Sequence, residues 1–550
     1  MFCTSATRIL CRTALFLAAA AIGAHAQAVP KTTSGYRISG TVINAASGEP
    51  VRRATVSVLS DEPNGQTVES VETDNDGRFS LDGLPAAKFS LTASKRGFLT
   101  AFYDQHEGYN TAIVTGADQD TSGLVFRLTP GAALRGVVTA DGGDPVDGAK
   151  VMLFLKPHGH NPGARITQAG EAATDDTGAY EFDDLAAGEY LLVVKAEPWY
   201  AMSHSAAGGK QRTEGDVSAV LDVAYPVTFF DSTTDEASAS QIELGGGSRE
   251  EANVILRAVP ALHLTVEAPM NQSRNMPPAL LRTMIFGTDA STAGSMGIAA
   301  DAQTGKVEIF SVAPGHYQLQ QGDPPRLGEL DATTSQEIDP NLGSPAAVLT
   351  GNLKSADGSA LPENLDLSLS SVIDPQNHAP LHTTAFRGAF LFRAVLPGLW
   401  ELWAESPGKA LPITAISIGS RTRAGSKLTV RDKPIQLVAT VNQSETRVEG
   451  LTRNEKGKGQ PGVMIVLVPK EPSAFRALVR RDQSDSDGSF SLRDVVPGQY
   501  TVVAIQEGWE LDWGRQEVIS RYLSHGVAVT VTESSGKLLK LSEAVPVQSR

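Results

Sequence analysis

A chain of 550 residues is too long to fold around one hydrophobic core, and its length predicts several domains. Its 52 glycines and 31 prolines, with few long helical patterns, predict short strands and frequent turns, and so an all-β protein. The formal charge of −15 argues against nucleic acid as a partner, because an acidic surface repels phosphate and no cluster of Lys and Arg with interleaved aromatics offsets it.

The first 26 residues have the pattern of a secretory signal peptide. Arg8 and Arg12 precede the apolar run Ala14–Ile22, and the small residues Ala24 and Ala26 stand just before the expected cleavage site. We therefore expect an exported protein, located in the periplasm, on the outer cell surface or outside the cell.

Both cysteines, Cys3 and Cys11, belong to this leader. The processed chain would then have no disulfides, so its cores must be held by packing alone. No later segment approaches the ~20 consecutive apolar residues that a membrane helix requires. We expect no transmembrane segment after cleavage.

One spaced pattern comes back five times along the chain, and its first copy is Thr73–Leu91. A turn glycine is followed by an apolar residue two positions later, by a second turn residue ten positions later, and by an aromatic residue twelve positions later. We interpret the interval as a hairpin of two short strands with their large side chains on one face. The copies are Gly77, Phe79, Ala87 and Phe89; Gly178, Tyr180, Gly188 and Tyr190; Gly305, Val307, Gly315 and Tyr317; Gly388, Phe390, Gly398 and Trp400; Gly488, Phe490, Gly498 and Tyr500.

The copies of this pattern divide the chain into five modules after a linker at 27–35. Strand and turn patterns flank each copy, and the third module is the most diverged. One short helix is predicted near the C-terminus, at Arg515–His525, because apolar residues share one face there and Gly526 follows. The predicted modules are residues 36–129, 130–259, 260–345, 346–441 and 446–548.

Four recurring motifs carry a family resemblance: an opening Gly-x-Val, Gly-x-Pro-Val-x-x-Ala-x-Val at 48–56, Thr-Asp-x-x-Gly-x-Phe at 73–79, and Pro-Gly-x-Tyr at 497–500. With them the chain resembles the carboxypeptidase regulatory-like domain, fully in modules 1, 2 and 5 and less closely in modules 4 and 3. The resemblance implies prealbumin-like (transthyretin-like), starch-binding-like sandwiches, and hence an all-β tandem array of five antiparallel Greek-key β-sandwich modules in an exported bacterial protein. Relatives serve as appendages of peptidases, stalks of adhesins or front ends of outer-membrane receptors.

The residues argue against catalysis. Zinc carboxypeptidases need a His-x-x-Glu pair and a distant His, and none of the ten histidines is followed three residues later by Glu. The close pair His158 and His160 lies in a polar loop without a nearby carboxylate. The chain also lacks Gly-x-Ser-x-Gly and the phosphate-binding Gly-x-x-x-x-Gly-Lys motif. We expect a protein that is not an enzyme.

Two acidic turns could bind a cation. Asp74 and Asp76 precede Gly77, and Asp485 and Asp487 precede a glycine in the same way, as alternate carboxylates do in a calcium loop. The twelfth position of such a loop should be Glu, which neither segment has. The alternative is that these residues only close β-turns, which Asp-Gly pairs favour. Calcium is therefore the one cofactor that the sequence leaves open.

Aromatic pairs outside the cores are candidates for ligand binding. Trp199 with Tyr200, and Trp509 with Trp513, follow the last strand of the repeated pattern, where we expect exposed rings that could stack on a sugar or a peptide. Trp400, in contrast, occupies the aromatic position of the pattern and is expected in a core.

We therefore expect an exported, non-catalytic multi-module protein that acts as a cell-envelope scaffold, in adhesion, or by binding an unidentified surface protein or polysaccharide. A carbohydrate-binding protein that uses loop aromatics is the first alternative. An accessory protein of a secreted peptidase or of an outer-membrane receptor system is the second. The arrangement of the modules, as a rod or folded back, stays open at this point.

Overall fold

In a computed structural model, the described residues are 35–60, 66–157, 166–201, 222–267, 279–290, 297–301, 306–322, 324–373, 380–406, 409–443, 446–472, 475–532 and 537–550. The predicted signal peptide with its cleavage site, the pair His158 and His160, and Gly305 lie outside them. Among the described residues, no helix is both long and apolar enough to cross a membrane.

The strands are described in five successive groups along the chain. The first group is β1 (Tyr36–Asn44), β2 (Thr55–Ser60), β3 (Thr67–Glu72), β4 (Arg78–Leu84), β5 (Lys88–Ser94), β6 (Ala101–Phe102), β7 (Ile113–Val114) and β8 (Leu124–Leu128). The second is β9 (Ala132–Ala140), β10 (Lys150–Leu155), β11 (Thr167–Ala173), β12 (Ala179–Leu185), β13 (Gly188–Lys195), β14 (Val223–Ala224), β15 (Thr228–Phe229), β16 (Gln241–Leu244), β17 (Arg249–Glu251), β18 (Val254–Leu256) and β19 (Val259–Pro260).

The third group is β20 (Leu262–Glu267), β21 (Ala279–Ile285), β22 (Thr288–Asp289), β23 (Gly297–Asp301), β24 (Lys306–Val312), β25 (Gly315–Gln321), β26 (Arg326–Ala332), β27 (Gln336–Glu337) and β28 (Ser344–Pro345). The fourth is β29 (Ala347–Ser355), β30 (Asn364–Ser371), β31 (Leu381–Phe386), β32 (Ala389–Val395), β33 (Gly398–Ser406), β34 (Lys409–Leu411), β35 (Ile413–Ile418), β36 (Arg421–Ala424), β37 (Lys427–Val430) and β38 (Ile435–Val441). The fifth is β39 (Arg447–Arg453), β40 (Met464–Pro469), α1 (Phe475–Leu478), β41 (Arg480–Gln483), β42 (Ser489–Leu492), β43 (Gly498–Ile505), α2 (Gln516–Ile519), β44 (Val527–Val531), β45 (Leu538–Lys540) and β46 (Val545–Gln548).

Each group has its own hydrophobic core, so the expected fold class, an all-β tandem array of β-sandwiches with a short C-terminal helix, is confirmed. In the first module, sheet β4-β1-β8 faces sheet β3-β2-β5-β6. Alternating residues of both sheets meet between them, since successive side chains of a strand point to opposite faces. The predicted helix is α2, which continues as a 3-10 helix over Ser520–His525; the short helix α1 was not predicted.

The two strands of the repeated pattern do not form a hairpin, so that interpretation is wrong. In the first module β4 pairs with β1, whereas β5 pairs with β2 in the opposite sheet. The second module repeats this arrangement, with β12 on β9 and β13 on β10. The loop therefore crosses from one sheet to the other. The physical reason is that both strands turn their large side chains into one core, where Phe79, Leu81, Phe89 and Leu91 are at most 4% exposed.

Each module closes by returning to its opening strand, in parallel. The pairs are β8 with β1, β18 with β9, β27 with β20, β38 with β29, and β45 and β46 with β39. In the first and second modules the opening glycine makes room for the returning backbone. A Cβ atom at Gly40 would lie 2.2 Å from the carbonyl oxygen of Leu124, and one at Gly136 would lie 2.0 Å from that of Ala252. The expected antiparallel sheets thus contain a parallel contact in every module, which requires a long crossover connection.

The aromatic residue at the end of the pattern anchors the loop between the sheets. The hydroxyl of Tyr190 donates a hydrogen bond to the carbonyl oxygen of Ala186, four residues earlier, at 2.8 Å. The hydroxyls of Tyr317 and Tyr500 make the same contact at 2.7 and 2.8 Å, and Nε1 of Trp400 donates to the carbonyl oxygen of Leu396, also four residues earlier, at 2.8 Å. Trp400 is 4% exposed, which confirms its expected place in a core.

Neighbouring modules also pack on each other. The amide of Gly131 in the second module donates a hydrogen bond to the carbonyl oxygen of Gly97 in the first. An apolar cluster that includes Phe154 and Ile285 joins the second and third, and one that includes Ala394 joins the third and fourth. The most extensive polar contact, however, joins the two ends of the array.

Candidate functional site: the contact between the first and fifth modules

The first and fifth modules meet through a set of side chains that we call the clasp. Its first-module part is Lys88 and segment 104–114, which follows β6 and ends with β7. Its fifth-module part is segment 481–486, where β41 ends, together with Trp509 and Trp513. One of its contacts, between His106 and Gln483, joins positions 377 residues apart. The chain therefore folds back on itself, which answers the question that the sequence left open.

A tight loop prepares the first-module side. The backbones of His106 and Tyr109 pair in both directions, at 2.9 and 3.0 Å. The amide of Tyr103 donates to the carbonyl of Leu91 in β5, which ties the loop to the sandwich. Because the loop is held at both points, its side chains project from a fixed framework.

The side chain of Gln483 is the centre of the polar part and is only 1% exposed as a residue. Its Nε2 donates to the carbonyl oxygen of Asp104 at 2.6 Å and to Oγ1 of Thr111 at 2.8 Å. Its Oε1 lies 3.1 Å from Nδ1 of His106. A buried amide costs free energy unless it is paired, so these contacts fix the position of the loop on β41.

The turn after β41 adds backbone contacts and an ion pair. The amide of Ser486 donates to the carbonyl oxygen of Ala112 at 2.9 Å, and Oγ of Ser486 accepts from the amide of Val114 at 2.8 Å. Oδ1 of Asp485 accepts from the amide of Ala112 at 3.2 Å. Its Oδ2 forms an ion pair with Lys88, and the Asp485 side chain is 5% exposed. Main chain and charge thus act together at this point.

Arg481 lies among three aromatic rings. Its guanidinium carbon is 3.3 Å from the ring centre of Trp513, 5.2 Å from that of Tyr109 and 5.6 Å from that of Trp509. Nη2 of Arg481 also donates to Glu107 at 2.7 Å. Cation–π contacts strengthen when they are desolvated, and this arginine side chain is 10% exposed. Arg481 is therefore held by both modules at once.

The electrostatics of the clasp follow from burial. Burial raises the pKa of Asp482 to about 7, and the neighbouring charge of Asp485 acts in the same direction. Burial likewise raises the pKa of Asp485 to about 6, although Lys88 opposes it. For Glu107, burial acts to raise the pKa, but the hydrogen bond and charge of Arg481 outweigh it, so the net shift is downward. The carboxyl groups on the fifth-module side thus change charge near neutral pH.

The predicted ligand-binding aromatics have two different surroundings. Trp509 and Trp513 are half-buried, and Trp509 stacks on the ring of His106 at 5.4 Å between centroids. Trp199 is 88% exposed, as expected, and meets the edge of Tyr200 at 5.6 Å. Sequence reasoning did not foresee that a second module would cover Trp509. The available signal was the run of charged residues at 480–482, which interrupts the apolar alternation of a strand.

The four predicted cation ligands also differ. Oδ1 of Asp74 accepts from the amides of Asp76 and Arg78, at 2.9 and 2.8 Å, so it closes its own turn. Asp487 accepts from the amide two residues later, whereas Asp485 belongs to the clasp. Over the described part of the chain, no group of three or more His, Cys, Asp or Glu side chains has the arrangement of a metal site. The calcium hypothesis stays a prediction.

Family comparisons agree with the motifs of the first two modules. Residues 37–129 and 133–257 each match the carboxypeptidase regulatory-like domain. The chain carries carboxypeptidase regulatory-like domain repeats. Residues 447–537 match a different description, the second beta sandwich domain of a BOS complex subunit NOMO1-like protein, so the fifth module has the sandwich fold under another family. Among curated protein sequences, none matches this chain.

The solved structures that are similar to this chain include the following three. The Bacillus anthracis TIE protein is 9% identical, with 93% of this chain and 72% of that one covered, at a TM-score of 0.17. A streptococcal ancillary pilin is 11% identical, with 51% and 98% covered, at 0.20. Full-length RrgB pilus protein from Streptococcus pneumoniae is 10% identical, with 68% and 90% covered, at 0.14.

Proposed function

We propose that the protein is an exported, non-catalytic scaffold of the cell envelope whose modules present binding surfaces in a fixed arrangement. The clasp is the observation that supports this proposal. It links the first module to the fifth through a buried amide, an ion pair and an arginine among aromatic rings. Because the ends are joined, loops of different modules keep constant positions relative to each other, as a scaffold requires.

The test uses the whole chain with a C-terminal tag, expressed in a bacterial host that recognises secretory signals. We expect the recovered protein to begin at Gln27, to leave the cytoplasm, and to be retained by isolated cell envelopes. A variant without residues 1–26 is the matched control and should stay in the cytoplasm. Two results would contradict the proposal. One is that the full chain stays uncleaved in the cytoplasm, and the other is that isolated envelopes retain no more of the protein than a control resin without envelopes does.

Carbohydrate binding by loop aromatics is the second candidate, and the exposure of Trp199 favours it. This ring is 88% exposed and lies nearly perpendicular to the ring of Tyr200, with 5.6 Å between the centroids. A flat exposed ring suits stacking on a sugar face. We expect Trp199→Ala to abolish retention on a glycan that the parent protein binds, with exposed Phe386→Ala as the control. Unchanged retention of the Trp199 variant would exclude this ring as the platform.

A further inference from the structure

A cleft of about 770 Å³ lies where the first and second modules meet, and we call it the junction cleft. Its first-module wall includes Arg53, which precedes β2, and the segment 94–98, which follows β5. Its second-module wall consists of Asp183, Asp184 and Arg249. The hydrogen bond from the amide of Gly131 to the carbonyl oxygen of Gly97 joins the two modules beside this cleft. The volume falls within the range of about 300–1,000 Å³ that is usual for small-ligand pockets.

The charge of the junction cleft is opposite to that of the molecule. Four cationic side chains, Arg53, Lys95, Arg96 and Arg249, face two carboxylates, Asp183 and Asp184, in a chain of formal charge −15. Cations gathered in a cleft raise the local concentration of anions. The second-module carboxylates reduce this effect but do not cancel it.

The guanidinium groups of Arg53 and Arg96 differ from the other two cations of the cleft in their contacts. Within the described ranges, the guanidinium groups of Arg53 and Arg96 have no hydrogen bond or ion pair, and both residues are exposed. By comparison, Lys95 donates to the carbonyl of Arg52 and covers the ring of Phe98, and Arg249 donates to the carbonyl of Gly131. Arg53 and Arg96 are therefore the groups that could grip a ligand.

The backbone of Arg53 adds an independent observation. Its φ is +53°, in the left-handed region that disfavours residues with a Cβ atom. The corresponding positions of the second and fifth modules, in the turn before the second strand, are Gly148 and Gly462, with φ of +68° and +72°. The first module alone places a long cation where these repeats use glycine. Strained residues of this kind cluster at functional sites.

We propose that the junction cleft binds an acidic glycan whose carboxylate or phosphate groups pair with Arg53 and Arg96. Guanidinium groups match both oxyanions in a forked geometry. Asp183 and Asp184 can accept hydrogen bonds from sugar hydroxyls, which a ligand made only of anionic groups would not satisfy. The choice of a glycan rests on the proposed envelope function, whereas the position of the site rests on the cleft alone.

The test measures binding of the signal-free protein to three polymers by calorimetry: polygalacturonate for carboxylates, poly(glycerol phosphate) for phosphates, and neutral dextran. We expect one of the acidic polymers to bind, with affinity that falls as salt is added, and dextran not to bind. The double variant Arg53→Glu with Arg96→Glu should lower the affinity at least about tenfold, which corresponds to ~1.4 kcal/mol of binding free energy. Arg421→Glu with Arg423→Glu, on the exposed strand β36, is the matched control and should leave binding unchanged.

Arg53→Gly separates the site from the fold, because glycine relaxes the backbone at this position while it removes the cation. We expect this variant to be at least as resistant to urea as the parent and to bind the acidic polymer more weakly. Equal affinity of the parent and the double arginine variant, equal binding of dextran, or no binding of either acidic polymer would overturn the proposal. In the last case, retention on cell envelopes would still show the proposed function to hold without this site.

Discussion

The same acidic turn serves two purposes in different modules. In the first and fifth modules the turn has one backbone geometry: the amide of Asp74 donates to the carbonyl of Arg78 at 2.9 Å, and that of Asp485 donates to the carbonyl of Ser489 at 2.8 Å. The side chain of Asp74 closes its own turn in solvent, whereas that of Asp485 accepts from the first module. A repeated framework can therefore acquire a new contact without a change in its backbone.

The second module provides the control for this comparison. Oδ1 of Asp175 accepts from the amides of Thr177 and Ala179, both at 2.9 Å, and its turn is exposed, like that of Asp74. Below each turn a hydroxyl makes the same two bonds: Thr174 receives from the amide of Ala149 and donates to the carbonyl of Val146. The framework is thus constant, and only the surroundings of the acid differ.

The largest effect is expected from Asp485→Ala. Removal of this side chain leaves the buried amide of Ala112 without its acceptor and removes the ion pair between Asp485 and Lys88. A buried donor without an acceptor costs about 1–3 kcal/mol. We expect the clasp to weaken, with an increase in the radius of gyration measured by small-angle scattering and a longer distance between fluorophores on the first and fifth modules.

Asp175→Ala is the matched variant at the same position of the second module. It loses only exposed turn contacts, so we expect an unchanged radius of gyration and a loss of stability of at most about 1 kcal/mol. Asp485→Asn keeps an oxygen that can accept from the amide of Ala112. Its radius of gyration and its distance between the first and fifth modules should therefore lie between those of the parent and of Asp485→Ala. If the alanine variants at 175 and 485 gave the same distances, the clasp would not depend on the acid.

A pH dependence should distinguish the fifth module from the first two. Burial raises the pKa of Asp482 to about 7 and that of Asp485 to about 6, from an ordinary value of 3.8, with Lys88 as the nearby opposing charge. Both carboxyl groups have a higher pKa in the folded protein than in the unfolded chain. Their contribution to the free energy of unfolding is therefore complete below pH 3.8 and is lost as the pH rises through 6 and 7. As the pH is raised from 5 to 8, we expect the urea midpoint of the parent to decrease relative to that of Asp482→Asn. A constant difference between the two over this range would contradict the shift.

Much of the fold could be predicted because it depends on short, regular intervals between residues in the sequence. The ten- and twelve-residue intervals place the glycine and the aromatic residue of each module, and the core position of Trp400 followed from them. The sheet to which each strand belongs did not follow. Strand length and alternation are the same for a hairpin and for a loop that crosses a sandwich, and only long-range pairing separates them.

The clasp could not be predicted for a related reason. Its partners, such as Glu107 and Arg481, stand 374 residues apart. Aromatic residues that follow the last strand of the pattern, such as Trp513, are expected at the surface of a module, but the sequence does not say which other surface will cover them. Contacts of this kind depend on how whole modules pack, which no local pattern encodes.

The smallest effect is expected from Tyr500→Phe, which tests whether the framework and the clasp are independent. The hydroxyl of Tyr500 donates to the carbonyl of Val496 at 2.8 Å, and the first module has Phe89 at this position, so the sandwich can form without that bond. We expect the free energy of unfolding of the fifth module to fall by about 0.5–1.5 kcal/mol in urea titrations. The distance between the first and fifth modules should stay that of the parent, because Tyr500 lies in the core and not in the clasp. A longer distance in this variant would mean that the clasp depends on the anchoring of this loop in the core of the fifth module, and not only on the residues of the acidic turn.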